Sequence, residues 1–252
     1  MLTRDRHTLI AERLRGRGSV VASVLAAELA VSEDTIRRDL RALEASGLCE
    51  RVHGGAVAPV PQPVRARAGL ARDEKDVIAR AAARLVPADA LVFVDAGSTN
   101  LAIAQALPLD RRLTVATNAP AIAALLYDRP GTSVILVGGR VEPHSGACVG
   151  VETVAAIADL RPALAFLGAC ALDAASGLTA FGHEEAQVKA AIARVSDAVA
   201  VAVTPDKIGT HAPFRVAPAE AIAHLVTLSP SPACAALAAA GVSVLYVGEG
   251  GG

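Results

Sequence analysis

Val31–Ala56 reads VSEDTIRRDLRALEASGLCERVHGGA, and the first part of the architecture follows from it. Ser32 is placed to accept a backbone N–H as a helix N-cap. Val31 and Ile36 occupy the two ends of a hydrophobic staple. Glu33 and Asp34 fall in the first turn, where the helix dipole favours negative charge. Ile36, Leu40 and Leu43 repeat at i, i+4 and i+7 and predict one buried stripe, and Gly47 is a natural left-handed stop. At about 100° per residue the opposite face carries Asp34, Arg38, Arg41 and Ala45, flanked by Thr35 and Arg37. A short helix with an apolar back and an arginine-rich front suits a DNA major groove, because a guanidinium grips guanine edges in bidentate fashion and also binds phosphate. An ordinary solvated helix face has the same pattern, so the neighbouring segments decide.

Upstream, Arg6 to Arg15 reads as a first helix, with Leu9, Ile10, Arg13 and Leu14 at helical spacing and Gly16 and Gly18 ending it. Val20 to Ala30 reads as a second helix with Val24, Leu25 and Leu29 inward. Downstream, Cys49–Val52 and Ala56–Ala58 are short extended runs around His53-Gly54-Gly55, which fits a tight hairpin. Three helices followed by a small hairpin make a winged helix-turn-helix, expected over residues 1–57. The DNA-binding candidates are Ser32, Thr35, Arg37, Arg38 and Arg41 on the third helix. Arg51, His53 and Gly54 at the hairpin face the sugar-phosphate backbone of a double-stranded operator.

The whole chain bounds this reading. Its 24 Lys+Arg are balanced by 25 Asp+Glu, so nucleic-acid affinity has to come from a local cluster. Arg37, Arg38, Arg41, Arg51, Arg65, Arg67 and Arg72 all fall in the first third. Cys49, Cys148, Cys170 and Cys234 are scattered without a CxxC pair, which argues for reduced thiols and against a zinc site or disulfide framework. His144, His183, His211 and His224 have no metal-ligand spacing. With no basic-then-apolar leader and no run of about 18 apolar residues, a cytoplasmic location without membrane attachment is expected.

Residues 58–72, APVPQPVRARAGLAR, are rich in Pro, Ala and Arg and read as an interdomain linker. From residue 73 to 252, helices alternate with apolar strands at 90–94, 113–116, 133–137, 164–167, 198–203, 224–228 and 242–247. Such alternation means a mostly parallel sheet with helices on its faces, and ligands of such sheets bind beyond the C-terminal strand ends. Polar turns cluster there. Asp95-Ala-Gly97-Ser98-Thr99-Asn100 leads into a helix and offers hydroxyls and free N–H groups to an anion. Thr117-Asn118 and Gly138-Gly139 follow the next two strands. Glu184 and Lys189 lie on a later helix, and Lys207 follows another strand. The first turn is neither GxGxxG nor GxxxxGK[ST], so no nucleotide cofactor is indicated.

The run Thr35-Ile36-Arg37-Arg38-Asp39-Leu40 with the correctly spaced His53-Gly54-Gly55-Ala56 resembles the N-terminal signature of the DeoR family of bacterial transcription regulators. The second half resembles the family's sensor domain in Asp95-Ala-Gly-Ser-Thr, Thr117-Asn118, Gly138-Gly139, Gly177-Leu178-Thr179, the Glu185/Lys189 helix and Lys207-Ile208-Gly209. The resemblance implies sequence-specific DNA binding, usually repression, and a ribose-5-phosphate-isomerase/CoA-transferase-like sensor fold. It also implies a phosphorylated sugar or related metabolite that releases the operator, and dimers or tetramers built by the sensor domain. The chain departs from the family pattern at Thr204, where an Asp is usual, and near Cys170-Ala171, where a second Gly is common. The competing reading is a sugar-phosphate isomerase or transferase using Asp95, Glu184, Glu185, Lys189 and Lys207, which leaves the winged helix without a purpose.

Overall fold

In the computed structural model the described residues are 3–17, 19–46, 48–52, 54–57, 71–109 and 112–248. The sequence expectations for Gly47, His53 and residues 58–70 fall outside them. The chain divides into two compact units with the boundary between residues 62 and 63.

In the first unit, α1 (Thr3–Arg17) is followed by β1 (Ser19–Val21), α2 (Ala22–Glu28), α3 (Glu33–Ala45) and the hairpin strands β2 (Glu50–Val52) and β3 (Gly55–Val57). The three strands form an antiparallel sheet in the order β1-β3-β2. Ile10, Leu14, Leu25, Ile36, Leu40 and Leu43 are buried in one cluster, so the predicted stripe of α3 is the inner face.

Three expectations are corrected here. The first helix runs through Gly16. Val20 and Val21 belong to a strand and not to the second helix, with Val20 buried and Val21 exposed in strand alternation, and Val24, expected inward, is exposed. The strand forms because β3 offers a partner: Gly55 pairs with Val21, and any Cβ there would collide with the Val20 carbonyl. Gly54, at φ +84, makes the turn. The adjacent glycines of the hairpin signature therefore have separate backbone reasons.

The second unit opens with α4 (Arg72–Ala83), so Arg72, assigned to the linker from sequence, is already helical. There follow β4 (Leu91–Val94), α5 (Ser98–Ala106), β5 (Leu113–Thr117), α6 (Pro120–Leu126), β6 (Thr132–Leu136), the short pair β7 (Arg140–Val141) and β8 (Cys148–Val149), and α7 (Val151–Ala158). Next come β9 (Leu164–Leu167), β10 (Ala171–Asp173), β11 (Gly177–Ala180), α8 (His183–Val195), β12 (Val199–Ala202), β13 (Phe214–Ala217), β14 (His224–Thr227), α9 (Pro232–Ala239) and β15 (Ser243–Tyr246).

Seven strands form one parallel sheet in the order β15-β14-β12-β9-β4-β5-β6. Its middle strands are buried along their length, with Phe93 and Phe166 at the centre, as a sheet covered on both faces requires. An antiparallel sheet β10-β11-β13 and the pair β7–β8 were not expected from the sequence. Strand order reverses between β4 and β9: the chain runs outward through β5 and β6, then returns to lay β9 on the other side of β4. The crevice at such a reversal is where open α/β sheets bind ligands.

Candidate functional site

The first candidate site is the outer face of α3. Ser32 caps the helix, its Oγ accepting the Thr35 N–H at 3.2 Å. Arg37 and Arg38 are exposed and pair one turn back with Glu33 at 3.1 Å and Asp34 at 2.7 Å. Exposed i,i+4 pairs contribute only about 0.3–0.5 kcal/mol, so both guanidinium groups can leave them for a phosphate or a base edge. Arg41 is exposed on the same helix and Thr35 is partly exposed. Arg51 is more committed: its Nε donates to Glu44 Oε2 at 2.7 Å and its backbone N–H to Glu44 Oε1 at 3.0 Å. Those bonds hold the Glu44 carboxyl below its usual range.

Asp39, inside the Thr35–Leu40 motif, points the other way. It is buried, and Arg6 of α1 donates to it side-on, Nε to Oδ2 at 2.5 Å and Nη2 to Oδ1 at 2.9 Å. His7 Nε2 lies 2.9 Å from Oδ1. Burial pushes the carboxyl up, but the hydrogen bonds from Arg6 and His7 outweigh it and hold Asp39 below its ordinary value.

The second candidate site is a cleft at the β4/β9 reversal, where Asp95 opens the loop after β4 and Gly168 follows β9. Asp95 and Lys189 are both buried and pair through Oδ2, and the Gly168 N–H donates to the same oxygen at 2.9 Å. Glu185 stands 3.3 Å from Lys189, one turn back on α8. Burial alone would push the Lys189 ammonium down, but Asp95 and Glu185 raise it above an ordinary lysine, so it stays a cation. Gly168 has to be glycine: a Cβ would collide with the Ala96 carbonyl and sit 3.1 Å from Lys189 Nζ.

Gly97, at φ +144, turns the chain into α5 and exposes the first-turn N–H groups of Ser98, Thr99 and Asn100. These residues, Lys189, Lys207 and Glu185 line one cleft. Lys207 Nζ donates to the Ala169 carbonyl at 2.9 Å. Cys170 also lines the cleft, its thiol pushed up by burial and by Glu185. The Asn100 Nδ2 donates to the carbonyls of Asp95 and Phe166 at 2.9 and 3.1 Å. That leaves the buried Asn100 Oδ1, like Asp95 Oδ1, without a partner among the described residues. The free volume of the cleft is about 30 Å³, room for about one water.

The sequence-predicted effector set is only partly gathered here. Gly97, Ser98, Thr99, Lys189 and Lys207 line the cleft, with Asp95 directly behind Lys189. Thr117 does not line it: its hydroxyl donates to the Val94 carbonyl at 2.6 Å, tying β5 to β4. Asn118 is buried beside Cys148. Gly138 accepts from the Thr153 hydroxyl at 2.7 Å, and Gly139 packs against Thr153 and Val149. Glu184 is exposed and pairs with Arg140. Glu185, not Glu184, faces the cleft, because it precedes Lys189 by four residues and so shares its helix face. Thr204 caps the turn Pro205–Lys207 outside the lining. A wider groove of about 560 Å³ lies on the outer side of α8, lined by His183, Arg194, Phe214 and Arg215; none of the predicted effector residues lines it.

The DeoR-like helix-turn-helix domain matches residues 6–62, and the DeoR C terminal sensor domain matches residues 70–229. The chain is 32% identical over 231 residues to the glycerol-3-phosphate regulon repressor of Escherichia coli (strain K12), covering 90% of this chain and 92% of that protein. It is 34% identical over 227 residues to the HTH-type transcriptional regulator GolR of Listeria innocua, covering 88% of this chain and 89% of that one. Among solved structures, ribose 5 phosphate isomerase A from Neisseria gonorrhoeae is similar to 54% of this chain over 52% of its own, at 16% identity and a TM-score of 0.40. Among the described residues no helix is long and apolar enough to cross a membrane.

Proposed function

We propose that this chain, which belongs to the DeoR family of transcriptional regulators, represses a sugar or carbohydrate catabolic operon and is released from its operator by a phosphorylated sugar-type effector. Thr35, Arg37, Arg38 and Arg41 read or flank the base edges, with Ser32 at the helix start. Arg51, His53 and Gly54 lie against the sugar-phosphate backbone. The observation that carries the effector assignment is the meeting of the α5 N-terminus with Lys207 and Lys189 in one cleft. Free N–H groups at a helix start and a nearby ammonium suit a phosphate, while Glu185 and Asn100 Oδ1 can accept hydrogen bonds from ligand hydroxyls.

The effector acts by binding a DNA-incompetent arrangement of the protein better than the DNA-competent one. That preference is what lets an effector shift a DNA-competent population. A homodimer or homotetramer in the cytoplasm fits this role, because two copies reading two half-sites raise specificity. Operator release is a binding function, so the pocket's acid, base and cations act as ligand contacts and not as catalysts.

The test is enrichment of bound sequences from a random DNA pool. Footprinting of the enriched motif follows, with and without glycerol 3-phosphate and ribose 5-phosphate. A protected dyad released by a phosphorylated compound is expected. No enrichment at low salt would defeat the DNA assignment. Enrichment that no sugar or polyol phosphate reverses would defeat the effector assignment.

A further inference from the structure

We infer that the Arg6–Asp39–His7 cluster fixes the rotation of α3 about its own axis, which makes Asp39 a positioning residue for the DNA-reading face; the inference rests on the DNA assignment above. Asp39 is buried on the flank of the apolar stripe made by Ile36, Leu40 and Leu43. For stability alone this is a poor choice, since well-packed apolar residues usually match or exceed a buried ion pair. What an apolar residue lacks is direction. Contacts among Ile36, Leu40, Leu43 and the facing Ile10 and Leu14 tolerate small rotations and slides of α3.

The Asp39 carboxylate does not tolerate them. Its two oxygens are held by Arg6 Nε and Nη2 at 2.5 and 2.9 Å, a side-on geometry that fixes the carboxylate plane. A third contact from His7 at 2.9 Å comes from the next residue of α1. Because Arg38 immediately precedes Asp39 and Arg37 precedes both, any turn of Asp39 swings the two arginines by the same angle. A bidentate contact to a base edge needs both donor–acceptor distances within about 2.7–3.2 Å, so the inner carboxylate sets the register of the outer guanidinium groups.

The experiment uses the full chain and the DNA motif enriched by the parent protein. Affinity for that motif and for a shuffled sequence is measured beside urea unfolding. Asp39→Asn is expected to lose both stability and affinity and by itself does not separate the roles. The double variant Arg6→Leu/Asp39→Leu does: it is expected to unfold at a urea concentration equal to or above the parent's, and to keep its affinity for shuffled DNA. Its preference for the motif should fall at least tenfold. A stable double variant with the parent's preference would overturn the inference. Should the double variant not fold, His7→Leu, on a partly exposed side chain, takes its place. A threefold or greater loss of preference at parental stability supports the positioning role, and an unchanged preference overturns it. A parent protein that enriches no motif at all would instead defeat the DNA assignment.

Discussion

Lys189→Met removes a charge while nearly keeping the length and volume of the side chain. Lys189 and Asp95 are 3% and 1% exposed as side chains. Without the ammonium, Asp95 retains only the Gly168 N–H at 2.9 Å, and its other oxygen already has no partner among the described residues. Breaking a buried ion pair by removing one member costs about 3–5 kcal/mol, because a buried charge is left uncompensated. At roughly 2–4 °C per kcal/mol for domains of about 150–250 residues, the ligand-free protein should melt about 6–20 °C lower at neutral pH.

Differential scanning calorimetry reads this directly, and Asp95→Asn/Lys189→Met should recover most of the loss. The pH dependence has a definite sign. Burial lowers the lysine, but Asp95 and Glu185 raise it by more, so its folded pKa lies above its ordinary 10.5. The stabilisation is fully present below about pH 10.5 and is lost as pH rises through the higher folded value. The parent's alkaline loss above pH 10.5 should therefore be smaller in Lys189→Met. A fall in melting temperature under about 3 °C, or a double variant no more stable than the single one, would show that the pair is not what holds the β4/β9 crevice together.

Ser32→Ala removes the cap on the Thr35 N–H and should cost about 1 kcal/mol in urea unfolding, with an unchanged midpoint counting against the cap. Arg38→Ala, which loses only an exposed pair with Asp34, should weaken operator binding while leaving effector-induced thermal shifts intact; parent-like operator affinity at several salt concentrations would mean that α3 presents a different face. Gly168→Ala forces a methyl group against the Ala96 carbonyl and Lys189, so about 1–3 kcal/mol of overpacking and a weaker response to sugar phosphates are expected in thermal-shift titrations, whereas a response equal to the parent's would separate this glycine from the cleft.

What was legible in the sequence was local. The start of α3, its cap and its buried stripe come from interactions that span one to seven residues, and those are written in order along Val31–Leu43. The same holds for the alternation of helices and apolar strands and for the Gly97-Ser-Thr turn into α5. The Glu185–Lys189 spacing was present in the sequence as well, but the effector-site expectation fell on Glu184; the four-residue interval to Lys189 is the signal that selects Glu185. Contacts across the chain were not legible. Val20 and Val21 form a strand only because Gly55 lets β3 approach. Asp39 is buried only because Arg6 and His7 wait on α1 to satisfy it.

The cleft depended on strand order. Asp95 and Lys189 are 94 residues apart and meet because β9 pairs with β4, an adjacency that no periodicity encodes. Thr117 and Gly138 end strands just as suitable on paper. They fall away from the site because β5 and β6 lie on the far side of β4 from the reversal. Local rules thus set which segments become elements and which turns bear polar groups. Only the tertiary pairing of strands decided which of those turns share a cavity, since that is fixed by burial of the whole sheet and not by neighbours in sequence.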